Sequence, residues 1–214
     1  MPDRSLRHLL GVPGRRVTRR ARRLARRWSD GPPPERQWVR TVMLADLRAF
    51  FATLPVAELD AVECSSTTHA DFGWRSHQVV RYPDLDLTDP PDEVPTYDVV
   101  ICEQVLEHVT DPWASARTLR RLCRPDGYVV VSTPFLLKIH DAPGDYWRFT
   151  PDGLRLLLTG AGLEVVHLSS WGNRAAVRTN LFWWAAQRPW RPLRNAPSVP
   201  AVVWAVCRPA GDPG

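Results

Sequence analysis

The runs Val99-Val100-Ile101-Cys102 and Tyr128-Val129-Val130-Val131 are apolar at every position. A strand wetted on one face alternates polar and apolar residues. Unbroken apolar runs are instead buried on both faces, the pattern of a parallel sheet covered by helices. Between the two runs, Asp111 can accept a hydrogen bond as a helix N-cap, and Pro112 fits the first helical position. Trp113, Ala116, Leu119 and Leu122 then recur at helical spacing, and Pro125-Asp126-Gly127 form a turn signal. Residues 97–135 therefore read as strand, loop, helix, turn and strand, a right-handed βαβ unit.

The same reasoning extends outward. Val39, Val42, Met43, Leu47, Phe50, Phe51 and Leu54 predict a helix that ends at Pro55, and Leu59 to Glu63 and His77 to Tyr82 predict two strands. Thr150-Pro151 open a helix with Leu154, Leu157, Leu158 and Ala161 on its apolar face, and Gly162 closes it. Leu163 to Leu168 predict a strand, Ala175 to Gln187 an aromatic-rich helix, and Val199 to Val206 the last strand.

Composition adds a division of the chain. Of 214 residues, 44% are hydrophobic, enough for one substantial core. The net charge of +5 is concentrated in arginines between Arg15 and Arg27, and Lys138 is the sole lysine. Residues 1–34 are expected to form a basic arm and linker, and residues 35–210 the main domain. Val17, Ala21, Leu24 and Trp28 would share one face of a basic amphipathic helix. That helix suits an anionic membrane surface over residues 15–28, a nucleic acid less well, and a solvated arm equally.

No apolar stretch reaches the roughly 18 residues that a membrane span needs, and arginines interrupt any secretory leader. The expectation is a cytoplasmic protein, membrane-peripheral if the arm binds lipid. Cys64, Cys102, Cys123 and Cys207 lack metal-ligand spacing and read as buried reduced thiols. No metal site is expected.

In an open α/β sheet, ligands bind outside the carboxyl ends of the strands, so Glu103 to His108 and the residues after Thr133 should face one crevice. Taken in order, YDVV, VLEHV, the Asp111-Pro112 pair and RPDGYVVVSTP resemble the second half of class I S-adenosylmethionine-dependent methyltransferases, type 11-like, with the resemblance spanning about residues 55 to 207. The implied fold is α/β, a Rossmann-like doubly wound and mostly parallel sheet with an antiparallel last strand. Only about ten residues remain before Tyr97, so the usual third strand and its helix must be cut down.

The resemblance also implies a cofactor, S-adenosyl-L-methionine, and the residues that hold it. Glu63 stands at the acidic position that opens the family's glycine-rich loop, but Ser65, Thr67 and His69 replace glycines, which costs strain and adds hydroxyls. Ser65, Ser66 and Thr67 are therefore cofactor-binding candidates. A carboxylate after the second strand should accept from the ribose hydroxyls, with Asp84 the first candidate and Asp86 the second. Glu103, Gln104, Val105 and His108 complete the set.

On the acceptor side, His140 and Asp145 are candidates for proton removal, and Tyr146 and Arg148 for binding an anionic or sugar-like acceptor. The competing reading pairs Asp145 with Arg148 as a pin for the loop. The implied activity is methyl transfer to a small-molecule, sugar or lipid-linked acceptor. The alternative is a catalytically degenerate binding or scaffolding module.

Overall fold

The structure, a computed structural model, describes residues 31–140 and 144–211. The basic helix expected within residues 15–28 lies outside them. In chain order the elements are α1 (Thr41–Phe51), β1 (Asp60–Cys64), β2 (Ser76–Val80), β3 (Tyr97–Glu103), α2 (Pro112–Leu122), β4 (Cys123–Pro134), α3 (Pro151–Gly160), β5 (Leu163–Trp171), α4 (Arg174–Asn180) and β6 (Val202–Pro209).

The six strands form one sheet in the order β2-β1-β3-β4-β6-β5. Neighbours from β2 through β4 pair in parallel, and β6 inserts antiparallel to both β4 and β5. This is the doubly wound, mostly parallel sheet with an antiparallel last strand that the sequence predicts.

The unbroken apolar runs are explained by two cores, one on each face. Val62, Val100, Cys102, Val129 and Val131 point to α2 and α3, whose Ala116, Leu119, Leu122, Leu154, Leu157 and Leu158 cover that side. Ala61, Val99, Ile101 and Val130 point to α1 and α4, against Met43, Leu47, Phe51 and Ala176. Burying each large aliphatic side chain contributes about 1.5–3 kcal/mol. The caps read from sequence are made: Asp111 accepts from the Ala114 N–H and Thr150 from that of Gly153.

Two expected elements differ. The helix expected to reach Gln187 ends at Asn180, whose buried amide donates to the Ala176 carbonyl and accepts from the Ala185 N–H, turning the chain out of the helix. The following residues pair with the segment before α1, through Trp38 N–H to Ala185 O and Gln187 N–H to Arg36 O, each 2.8 Å. The turn expected at Pro125-Asp126-Gly127 lies within β4, where the register against β3 shifts between Tyr97 and Val99. Among the described residues, Arg81 to Thr96 contain neither helix nor strand.

Candidate functional site

At the carboxyl ends of the neighbouring strands β1 and β3, Ser65 (φ 67°) and Gln104 (φ 55°) are the non-glycine residues with positive φ among the described residues. An L-residue in this region costs about 1–2 kcal/mol, and such strain persists where the surroundings over-determine it. Here the sheet does so. Ser65 N–H donates to Val80 O at 2.8 Å and Gln104 N–H to Ser132 O at 2.9 Å, while the Gln104 amide donates to the Ser132 hydroxyl at 3.1 Å.

Both residues line two cavities. One of about 700 Å³ is bounded by Ser65, Ser66, Thr67, Thr68 and Gln104, with the arginines Arg40, Arg48 and Arg81 matched in number by the acids Glu35, Asp71 and Glu103. The other, of about 470 Å³, adds Tyr82, Asp86, Thr88, Val105, His108, Val109 and Tyr146. The two form one crevice at the strand ends, pinched at Ser65 and Gln104.

The acidic residues divide into scaffold and cavity wall. Glu63 is fully buried and bounds neither cavity. Its carboxylate accepts from the N–H groups of Thr68 (2.9 Å) and His69 (3.1 Å) and lies 3.0 Å from His77 Nε2, so it fixes the loop after β1 instead of facing a ligand. Glu103 reaches the crevice wall, but its oxygens are taken by Arg40 at 3.0 Å and by the buried His69. Burial alone would push the Glu103 carboxyl up; Arg40 and His69 outweigh it and hold the carboxyl below the usual range. Glu63 is thus turned to its own loop, whereas Glu103 stands ion-paired at the cavity wall.

The two candidate ribose carboxylates, Asp84 and Asp86, are placed differently. Asp84 is exposed and bounds neither cavity, because the chain carries it outward after β2. Asp86 lines the second cavity with its Oδ1 accepting from the Thr88 hydroxyl (2.7 Å) and N–H (2.8 Å), bonds that hold the carboxyl below its ordinary range. Val105 and His108 line the same cavity.

On the acceptor side, Tyr146 borders the crevice, whereas His140 lines neither cavity and meets His108 edge to face at 4.9 Å. Asp145 and Arg148 are placed otherwise. The fully buried Asp145 carboxylate takes the Arg148 guanidinium on both oxygens and the His140 N–H at 2.9 Å. Burial would raise its carboxyl, but these donors hold it below the usual range. Arg148 spends its remaining donors on the carbonyls of Trp147 and Lys138. The pair is a clasp for the loop, and neither residue lines either cavity.

Sequence reasoning missed Arg40, His69 and Glu107. His69 and Glu107 sit within the motifs quoted, but only folding shows that both are fully buried. The four cysteines are buried and free, as expected; burial pushes the thiols of Cys123 and Cys207 up to about 12.

A parallel sheet with one antiparallel strand inserted beside its edge strand, and a crevice at the carboxyl ends, defines the class I methyltransferase fold. Comparison with known sequences agrees: a family described as "Methyltransferase domain" matches residues 35–168, and the chain belongs to that family. The CcbJ methyltransferase from Streptomyces caelestis has a similar fold, with TM-score 0.52 and 16% identity over 86% of this chain and 92% of that one. Two relatives carry the name ubiquinone biosynthesis O-methyltransferase. The one from Yersinia enterocolitica is 36% identical over 36% of this chain and 37% of its own length. The one from Neisseria meningitidis serogroup A is 39% identical over 42% of this chain and 43% of its own. The chain thus spans less than half the length of these relatives. Among the described residues, no helix is long and apolar enough to cross a membrane.

Proposed function

We propose that the protein is an S-adenosylmethionine-dependent methyltransferase acting on a hydroxyl of a small-molecule acceptor. The observation that carries this reading is the pair of strained residues, Ser65 and Gln104, turned into one crevice at the ends of adjacent parallel strands. Positive φ there exposes backbone to a ligand, the role glycine plays in related loops.

The donor set fits the cofactor. Ser65, Ser66 and Thr67 present hydroxyls beneath a rim that includes Arg81, which suits an amino-acid carboxylate. Asp86 has an oxygen to spare beyond its bonds to Thr88, which suits ribose hydroxyls. Val105, Val109 and Tyr82 offer an apolar wall for a base. The bound cofactor supplies an electrophilic methyl on a sulfonium, and the chain's task is to hold the acceptor in line and exclude water.

The proton of the acceptor hydroxyl is released at the cluster of His108, His140 and Tyr146, with Asp145 and Arg148 fixing the position of His140. The relatives named as O-methyltransferases support an oxygen acceptor. Calorimetric titration with S-adenosylhomocysteine tests the proposal. Micromolar binding is expected; no binding at millimolar concentration in folded protein would overturn it and favour a binding module.

A further inference from the structure

Beside the crevice, Glu107 presents a chemical problem that the reading above leaves unsolved. Its side chain is fully buried, and among the described residues neither carboxylate oxygen has a hydrogen-bond partner. A buried carboxylate without a donor is unfavourable unless a cation or a proton compensates it. The groups nearest it are Nε2 of His108 at 3.6 Å and Nε2 of His140 at 3.7 Å, both on the same oxygen, Oε1. These separations are too long for hydrogen bonds. They are close to the edge of a tetrahedron around a metal with ligand bonds of about 2.0–2.2 Å, which is about 3.3–3.6 Å.

We propose that Glu107, His108 and His140 bind a divalent first-row transition metal ion, of which Zn2+ is the reference case, at the acceptor end of the crevice. The potential ligand atoms all lie within 4.8 Å of one another. The far side of each imidazole supports this use. His108 Nδ1 lies 2.5 Å from Gly144 O, and because a carbonyl only accepts, that nitrogen carries a proton and Nε2 is the nitrogen turned to Glu107, available as a ligand atom. His140 Nδ1 lies 3.2 Å from the clasped carboxylate of Asp145, which accepts from the His140 backbone N–H and so fixes the residue that carries the ring. One carboxylate and two imidazoles suit Zn2+, Fe2+, Mn2+ or Co2+, whereas Ca2+ and Mg2+ prefer all-oxygen shells.

Three protein ligands leave a position open for water or substrate, as catalytic sites do. His108 lines the cavity, so the site adjoins the crevice in which an acceptor would sit. For the chemistry, this inference rests on the methyltransferase reading. A hydroxyl on the metal loses its proton to solvent more readily, its oxygen bonds to the methyl carbon, and the carbon–sulfur bond breaks with its electron pair staying on sulfur. No oxidant or reductant is required.

The test uses the untagged full chain stripped of metal, titrated with Zn2+ by calorimetry and with Co2+ by visible absorption. One ion per chain is expected, with Glu107→Gln and His140→Ala each weakening Zn2+ binding by about tenfold or more. The site is overturned if the folded wild type binds no stoichiometric ion, or if the variants bind as the wild type does, which would put the ion elsewhere. Should Glu107→Gln not fold, His140→Ala, on a partly exposed loop, decides alone. Titration of the same metal-free protein with S-adenosylhomocysteine keeps the two proposals apart. Homocysteine-ligand binding without metal binding removes only the metal site, and metal binding without it removes only the methyltransferase reading.

Discussion

Arg40, delivered by the turn before α1, stands 3.0 Å from the Glu103 carboxylate at the end of β3, and both side chains are largely shielded from water. This ion pair ties the segment preceding the sheet to the floor of the crevice. Removing one partner of a buried pair leaves the other charge uncompensated, which costs about 3–5 kcal/mol. Because His69 still contacts Glu103, Arg40→Met should lower the unfolding free energy by about 3 kcal/mol, at the low end of that range. Urea denaturation measures it, and an unshifted midpoint would show that the pair contributes nothing net.

Glu103 also predicts an acid limit. Its carboxyl is held below the ordinary value in the folded protein, so the unfolded chain binds the proton first as pH falls. The stabilisation is complete above about pH 4.3, the unfolded carboxyl's value, and is lost as pH drops through the lower folded value. Denaturation midpoints between pH 7 and pH 3 should fall less steeply for Glu103→Gln than for wild type. Parallel slopes would assign the acid sensitivity to other carboxylates.

Ser65 carries backbone strain that glycine would relieve. Ser65→Gly should stabilise the fold by about 0.5–1 kcal/mol, the αL relief exceeding glycine's extra chain entropy. Ser65→Val, β-branched at φ 67°, should destabilise it and weaken S-adenosylhomocysteine binding. A glycine variant that melts lower would show that the serine hydroxyl outweighs the strain.

The two aspartates after β2 should separate cleanly. Asp86→Ala should weaken S-adenosylhomocysteine binding by about 1–3 kcal/mol, the scale of a lost charged hydrogen bond, while Asp84→Ala leaves it unchanged. The reverse result would move the ribose contact to Asp84 and require the loop to rearrange on binding.

Asp145 and Arg148 should behave as one unit. Both Asp145→Asn and Arg148→Ala break the clasp, so the double variant should be little worse than either alone, with a coupling of about 1–3 kcal/mol in a thermal or urea cycle. Additive losses would mean that the two residues act separately.

The fold was legible in the sequence because strands buried on both faces cannot be polar: Val99 to Cys102 and Tyr128 to Val131 announced themselves, and Asp111 and Thr150 marked where helices begin. The end of α4 was not, since Asn180 stops it by a side-chain bond to Ala185 that the apolar pattern does not contain. The site was legible in outline. Ser65 and Gln104 follow strands, and strand ends face the crevice, but which acid meets a ligand depends on partners brought by folding. Glu63 and Glu103 looked like ligand contacts until Thr68, His69 and Arg40 occupied them. Asp84 and Asp86 differ by one turn of the chain that no local propensity dictates. Glu107 and His140 come from separate loops, so their approach has no signature in spacing.

Pro34 and Glu35 bound the larger cavity. The same segment is pinned to the residues after α4 by Trp38 N–H to Ala185 O and Gln187 N–H to Arg36 O. One wall of that cavity is therefore held by a meeting of segments about 150 residues apart in sequence, so the shape of the cavity registers whether the chain has closed on itself and not only whether the strands beneath it have paired.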